Sequence, residues 1–281
     1  MDALPPLRAV IASHGLGARK SLGQHFLLDL NLTDKIARAA GTLSTGTVIE
    51  VGPGPGGLTR ALLRQGASRV IAIERDTRCI AALAELQQAA AGRLEILHAD
   101  AREVDIASLG DLPRRVVANL PYNVGTPLLI NWLENASHFV EMTLMFQREV
   151  ADRIAASAGD SAYGRLSVIA NWRCRTRKLF NVPARAFTPP PRVDSAVVSL
   201  QPYDTPPFPA DRANLEKVTA AAFGQRRKML RSALKTLSVD PLRLLQEADI
   251  TPTQRAETVD IQGFSALARA YERLTGPDAA P

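Results

Sequence analysis

Two cysteines, four histidines and 5% aromatic residues among 281 positions leave little with which to build a metal centre or a disulfide framework. Cys79 and Cys174 are too few and too far apart for a bridge network or a zinc site, and His14, His25, His98 and His138 lack metal-ligand spacing. Both thiols therefore read as reduced, and no metal is expected. No run approaches the roughly 18 apolar residues of a membrane span. The first residues, with Pro5 and Pro6 among polar positions, lack a signal-peptide apolar region. The expectation is a cytoplasmic protein with no membrane contact. What the chain does have is material for a core: 46% of it is apolar, at a length that suits one large or two ordinary domains.

Charge of one sign is missing from two stretches. Between Asn171 and Arg192 there are six basic residues (Arg173, Arg175, Arg177, Lys178, Arg185, Arg192) and no acid. Between Phe223 and Lys235 there are five more (Arg226, Arg227, Lys228, Arg231, Lys235), again without an acid. The whole chain is +6; without these eleven residues, 23 basic face 28 acidic ones. The positive charge is local, which suits an anionic partner such as nucleic acid, although a solvated face is the plain alternative.

From Thr47 to Phe146, short apolar runs alternate with amphipathic stretches. Val48–Val51, Arg69–Ile73, Leu94–Leu97, Arg115–Ala118 and Met142–Phe146 read as buried strands. Leu58–Gln65, Thr77–Ala91, Pro127–Asn135 and Arg148–Ser157 carry helical spacing, and Asn31–Ala40 adds a helix capped by Asn31. Such alternation means a parallel sheet covered on both faces. Leu179–Val182 and Val193–Leu200, separated by Thr188-Pro-Pro-Pro191, suit antiparallel strands that finish it. Four prolines between Pro202 and Pro209 mark a linker. Beyond it, Asp211–Phe223, Arg226–Thr236, Pro241–Ala248 and Phe264–Leu274 are helical in pattern, so an α/β domain over 1–201 and a linker over 202–210 precede a helical domain over 211–281.

The first strand runs into Glu50-Val-Gly52-Pro53-Gly54-Pro55-Gly56-Gly57. Gly52, Gly54 and Gly57 satisfy G-x-G-x-x-G, and Glu74 stands at the end of the next strand, where an acid would bond ribose hydroxyls. A dinucleotide is the first candidate. Yet Pro53 and Pro55 each remove an N–H that a pyrophosphate would need, whereas a nucleoside without phosphates, such as S-adenosylmethionine, has less use for them. Successive strand ends carry Glu50, Glu74, Asp100 and Asn119. These acids favour a sulfonium and an amine over a pyrophosphate. On this reading Glu74 takes the ribose, Asp100 the adenine amino group, and the Gly52–Gly54 backbone the methionyl part; capping of the following helices is the alternative.

The fourth strand ends in Asn119-Leu120-Pro121-Tyr122. An aromatic exocyclic amine is a poor nucleophile because its lone pair is delocalised. A site that methylates it must accept its hydrogens, and the Asn119 amide oxygen and Leu120 carbonyl supply two acceptors. Tyr122 offers a face on which a splayed or flipped base stacks.

In these residues the chain resembles the small-subunit (16S) rRNA adenine N6,N6-dimethyltransferase family, which is related to the erythromycin-resistance rRNA methyltransferases. Lys20-Ser-Leu-Gly-Gln24-His25-Phe26-Leu27 is similar to the family's N-terminal cofactor motif. Glu50–Thr59, Glu74, Asp100-Ala101 and Asn119–Tyr122 follow in order, then Thr126-Pro127, Gln147-Arg-Glu149, Tyr163-Gly-Arg-Leu-Ser167 and Phe187-Thr-Pro-Pro-Pro-Arg-Val-Asp-Ser195. Phe223–Arg231 and Arg255-Ala-Glu257 complete the set over nearly the whole length.

The resemblance implies a Rossmann-like, class I S-adenosylmethionine-dependent α/β methyltransferase domain followed by a small all-helical domain. It implies cofactor contacts from His25, Leu27, Gly52, Gly54, Glu74, Asp100 and Asn119, with Asn119, Leu120, Tyr122 and Phe187 about the target adenine. Phe187 would close over that base opposite Tyr122. His25 departs from the family, many members having Asn there. Residue chemistry alone would make His25 structural and Phe187 core. The implied substrate is a pair of adjacent adenines in the 3′-terminal hairpin of 16S rRNA within the small subunit, and the implied state a monomer. Arg226, Arg227, Lys228 and Arg231, placed on one helix, would bind RNA together with Arg173–Lys178. The competing functions are a large-subunit rRNA adenine methyltransferase, a DNA adenine methyltransferase, and a non-catalytic ribosome assembly factor.

Overall fold

The computed structural model describes residues 4–17 and 24–276. Residues 20–23 of the N-terminal motif lie outside this range. A helix α1 (Leu7–Ser13) and a two-residue strand β1 (Phe26–Leu27) precede α2 (Leu30–Ala39). Strands and helices then alternate as β2 (Thr47–Val51), α3 (Gly57–Arg64), β3 (Val70–Glu74), α4 (Thr77–Ala89), β4 (Leu94–His98), β5 (Arg114–Asn119), α5 (Gly125–Trp132), β6 (Glu141–Gln147) and α6 (Arg148–Ala155). There follow α7 (Arg165–Arg173), β7 (Cys174–Val182), β8 (Phe187–Thr188) and β9 (Ser195–Pro202). The last helices are α8 (Arg212–Gly224), α9 (Leu230–Ala233), α10 (Pro241–Glu247) and α11 (Ile261–Thr275).

The main sheet has seven strands in the order β4-β3-β2-β5-β6-β9-β7. The first five are parallel, and β9 closes onto β6 in antiparallel register, with Leu144 opposite Val198. Every residue of β2 and β3 is buried, as expected of strands covered on both faces. Val48 packs with Leu62 of α3 and Leu83 and Leu86 of α4 in one apolar cluster, while its neighbour Ile49 points the other way. The order reverses at β2, so that the carboxyl ends of β2 and β5 flank a crevice, the position in which open α/β sheets bind ligands.

Two compact units divide the chain. One takes the chain to Ala151 together with Arg177–Pro202; the other takes Asp152–Thr176 together with the chain from Tyr203. The boundary expected at 201 therefore differs in one segment, Asp152–Thr176, which belongs with the C-terminal helices. The reason is packing within that unit. α7 lies against α8 and α11, and the Tyr163 hydroxyl donates to the Val259 carbonyl at 2.9 Å. Phe223 stacks on Phe264 with centroids 5.5 Å apart.

Local details differ as well. The cap of α2 is Asp29, whose carboxylate accepts from the Asn31 and Leu32 amides, and not Asn31. The stretch Arg226–Thr236 is not one helix: Arg226 and Arg227 occupy a turn, Lys228 a bend, and only Leu230–Ala233 is α-helical before a final 3-10 turn. Pairing of Met229 with Arg255 holds the segment extended where the helix was expected to continue. Both cysteines are free and buried, and burial pushes each thiol up to about 12, so neither is a nucleophile at neutral pH. Among the described residues no helix is long and apolar enough to cross a membrane.

Candidate active site

The loop between β2 and α3 turns three times through left-handed backbone, at Gly52 (φ +70°), Gly54 (φ +55°) and Gly56 (φ +91°). Gly56 and not Gly57 is thus the third strained position; a Cβ there would meet Leu83 at 2.8 Å, and one on Gly57 would meet the Leu27 carbonyl at the same distance. The donors of this loop can be accounted for one by one. Gly52 N donates to Ile73 O, Gly54 N to Glu74 Oε2 and Gly56 N to Pro53 O, while Pro53 and Pro55 have no N–H. Positions 52–56 therefore offer no free donor to a pyrophosphate.

A single pocket gathers His25, Leu27, Gly52, Gly54 and Glu74 with Asp100, Asn119, Leu120 and Tyr122. Each of the three acids around it has a different state. Glu74, at the end of β3, accepts from Gly54 N at 3.1 Å and from Arg75 N and Asp76 N at 2.8 Å. Burial raises its pKa against the pull of those bonds. Glu50 is 1% exposed and its Oε2 has no partner among the described residues. Burial is the main cause that pushes it up to about 8, with the nearby Glu74 adding to the rise and bonds from Thr59 opposing it. Asp100 goes the other way: Arg102 Nη2 at 2.7 Å, Arg102 Nε at 3.1 Å, the Arg102 amide at 3.0 Å and Arg75 Nη1 at 3.2 Å fill its oxygens. Arg102 above all holds its carboxyl at about 2.

Two sequence-based expectations change here. The row of acids is less negative than its composition, because Glu50 keeps its proton at neutral pH and two arginines neutralise Asp100. Occupancy of the donors at positions 52–56, and not charge repulsion, is what counts against a pyrophosphate. The Asp100 carboxylate does cap the following turn, and one guanidinium must swing aside before it can accept from a ligand; both arginine side chains are about half exposed (54%), so that motion meets little resistance.

The turn after β5 carries the acceptors. Asn119 Nδ2 donates to the His25 carbonyl at 3.4 Å, which fixes the amide with its oxygen left to accept from a ligand. Among the described residues no donor is bonded to the Leu120 carbonyl. The Tyr122 hydroxyl is bonded to Ser195 Oγ on β9, which anchors the ring.

Phe187 is not in the pocket. It is 3% exposed, pairs with Leu27 between β8 and β1, and belongs to the apolar cluster under α2 and α3. The two-residue pairing of β1 with β8 draws it inward, so the ring beside Tyr122 is His25, with centroids 5.5 Å apart and planes at 29°. The missed signal is the juxtaposition of Phe26-Leu27 with Phe187-Thr188, two apolar pairs too short to show a strand period.

The basic segment also resolves by residue. Arg226 pairs with Glu257 at 3.1 Å and donates to Ser161 O at 2.7 Å, so it ties Phe223–Arg231, Arg255–Glu257 and the Tyr163 segment together. Arg227, Lys228 and Arg231 are exposed.

Comparison with known proteins agrees with this geometry. Residues 15–272 match the family model described as ribosomal RNA adenine dimethylase. The chain is 62% identical over 271 residues to a ribosomal RNA small subunit methyltransferase A from Rhodospirillum rubrum, covering 96% of this chain and 94% of that one. It is 62% identical over 275 residues to the protein of that name from Paramagnetospirillum magneticum, with 98% of each covered. Among solved structures, a dimethyladenosine transferase from Plasmodium falciparum superposes with a TM-score of 0.76 at 28% identity, over 86% of this chain and 96% of that one. The 23S rRNA methyltransferase ErmE shares the fold, with a TM-score of 0.68 at 24% identity over 88% of this chain and 99% of its own. With two carbonyl acceptors at the end of β5, beside a glycine loop whose donors at positions 52–56 are already bonded, the chain belongs to the ribosomal RNA adenine dimethylase family.

Proposed function

We propose that the chain methylates the N6 amines of two adjacent adenosines in the 3′-terminal hairpin of 16S rRNA, giving N6-dimethyladenosine during assembly of the small subunit in the cytoplasm. S-adenosylmethionine supplies the methyl groups. The carrying observation is the anchored Asn119 amide, which leaves its oxygen and the Leu120 carbonyl as paired acceptors in the pocket that also holds Glu74. The names of the relatives at 62% identity support the small-subunit substrate.

The residues divide the work as follows. Glu74 accepts from ribose hydroxyls, Asp100 from the adenine amino group once an arginine leaves it, and Gly52 and Gly54 let the backbone approach closely. Leu27 packs against the ligand from β1. Asn119 and Leu120 each take one hydrogen of the target amine, which frees its lone pair from conjugation, and Tyr122 stacks on the base. The departing proton becomes acidic only after the nitrogen is charged, so solvent accepts it late, and positioning with charge complementarity carries the rate. The enzyme acts as a monomer. The C-terminal unit grips rRNA through Arg227, Lys228 and Arg231.

Asn119→Ala tests this assignment. It should abolish turnover while a cofactor titration moves little, because the side chain acts on the acceptor amine. A parallel loss of cofactor affinity would contradict that division of roles.

A further inference from the structure

Tyr122 stands half-buried in the turn after β5 and lines the pocket beside Asn119 and Leu120. A ring on a turn is held only by what it touches, because its terminal torsion is soft. Here the tip is held: the hydroxyl is hydrogen-bonded to Ser195 Oγ, at the first residue of β9. Burial raises the phenol above its ordinary pKa, against the pull of that bond, so at neutral pH the bond joins two uncharged groups.

Ser195 is suited to be a fixed post. It is fully buried and lies outside the residues that line the pocket, so it meets a ligand only through Tyr122. Its side chain is short, and its backbone is held on both sides. Ser195 pairs with Gln147 in the antiparallel ladder of β6 and β9. The preceding Asp194 accepts from the Arg148 amide through its carbonyl at 2.9 Å and from the Ala184 amide through Oδ1 at 3.0 Å. One pair of hydroxyls thus ties the turn after β5, across β6, to β9.

We propose that Ser195 is a positioning residue for methyl transfer: its hydroxyl holds the Tyr122 ring at the orientation in which a stacked adenine presents its amine to the Asn119 and Leu120 acceptors. This rests on the adenine-methylation reading above, and adds to it a residue that touches neither cofactor nor base.

Positioning shows in the rate more than in binding. A ring freed at its tip still offers a face to the base, but the amine spends less time at the two acceptors and in line with the methyl group. Loss of one hydrogen bond between uncharged groups corresponds to about 3- to 10-fold. Ser195→Ala and Tyr122→Phe should each lower kcat on small ribosomal subunits lacking the modification by that factor. KM for the subunits, and the Kd for S-adenosylmethionine measured by calorimetry, should stay within about two-fold of wild type. The two variants remove the same bond from opposite ends, so the doubly substituted protein should be no slower than either single one. A merely structural Ser195 would keep its full cost in the Tyr122→Phe background.

Wild-type kcat in Tyr122→Phe overturns the proposal, even where Ser195→Ala fails to fold. So do losses that multiply in the double variant, or a weakened cofactor Kd in either single one. A raised KM with unchanged kcat overturns it too, since the bond would then serve binding alone. A wild-type enzyme that transfers no methyl group to the subunits overturns the function reading and the positioning role with it; active wild type with two unaffected single variants overturns the positioning role alone.

Discussion

At neutral pH the Glu50 carboxyl holds its proton, because burial pushes it up to about 8 from an unfolded value of 4.5. The native state then binds a proton that the unfolded chain has released, so this contribution to stability is complete below pH 4.5 and is lost as pH rises toward 8. Between pH 4.5 and 7 the loss is on the order of 3 kcal/mol. Glu50→Gln cannot titrate, so its thermal unfolding midpoint should fall less than that of wild type over this window. Parallel midpoint curves for the two proteins would show that Glu50 is ionised in the fold. The sequence shows Glu50, Glu74 and Asp100 at strand ends, but not their charge states, which depend on Thr59, Arg75 and Arg102 reaching them in space. For the same reason Phe187 leaves its expected place beside Tyr122: nothing in a one-dimensional pattern shows that Leu27 pairs with Phe187.

At the scale of elements, β2 to β6 were legible because buried parallel strands are continuous apolar runs bounded by turn residues. The glycine loop was legible because only glycine tolerates its left-handed turns. The pair β1 and β8 was not, being two residues each, and α7 was hidden because it carries little amphipathic contrast, with Ser167, Val168, Ile169 and Ala170 all buried. The segment after α8 misled in a different way. Its helical spacing is real, but Met229 pairs with Arg255 and breaks it. That break separates Arg226, held by Glu257 and Ser161, from the exposed Arg227, Lys228 and Arg231. Neutralising the last three should reduce the salt dependence of subunit binding, measured as log K against log salt, by about 2 to 3 in slope, with cofactor binding unchanged. An unchanged slope would make them a solvated face.

For the molecule as a whole, the +6 charge is a sum over unlike parts. Basic residues gather on β7, where Arg175, Arg177 and Lys178 are exposed, and in the turn after α8, while the remainder carries more acid than base. The residues proposed for cofactor and acceptor all lie in the unit containing the parallel sheet, and the second unit is a helical body whose composition includes Asp152–Thr176. That inclusion was invisible in the sequence because the segment lies before the last strands of the sheet, and only packing on α8 and α11 assigns it. The central claim joins one pocket to one kind of RNA. Its most direct test is methyl transfer from labelled S-adenosylmethionine to unmodified small subunits, with large subunits and duplex DNA in parallel, followed by nucleoside mass analysis. N6-dimethyladenosine at two adjacent positions of 16S rRNA, absent from the other two substrates, is the predicted result. Label confined to large subunits or DNA, or no dimethyladenosine in any substrate, would contradict it.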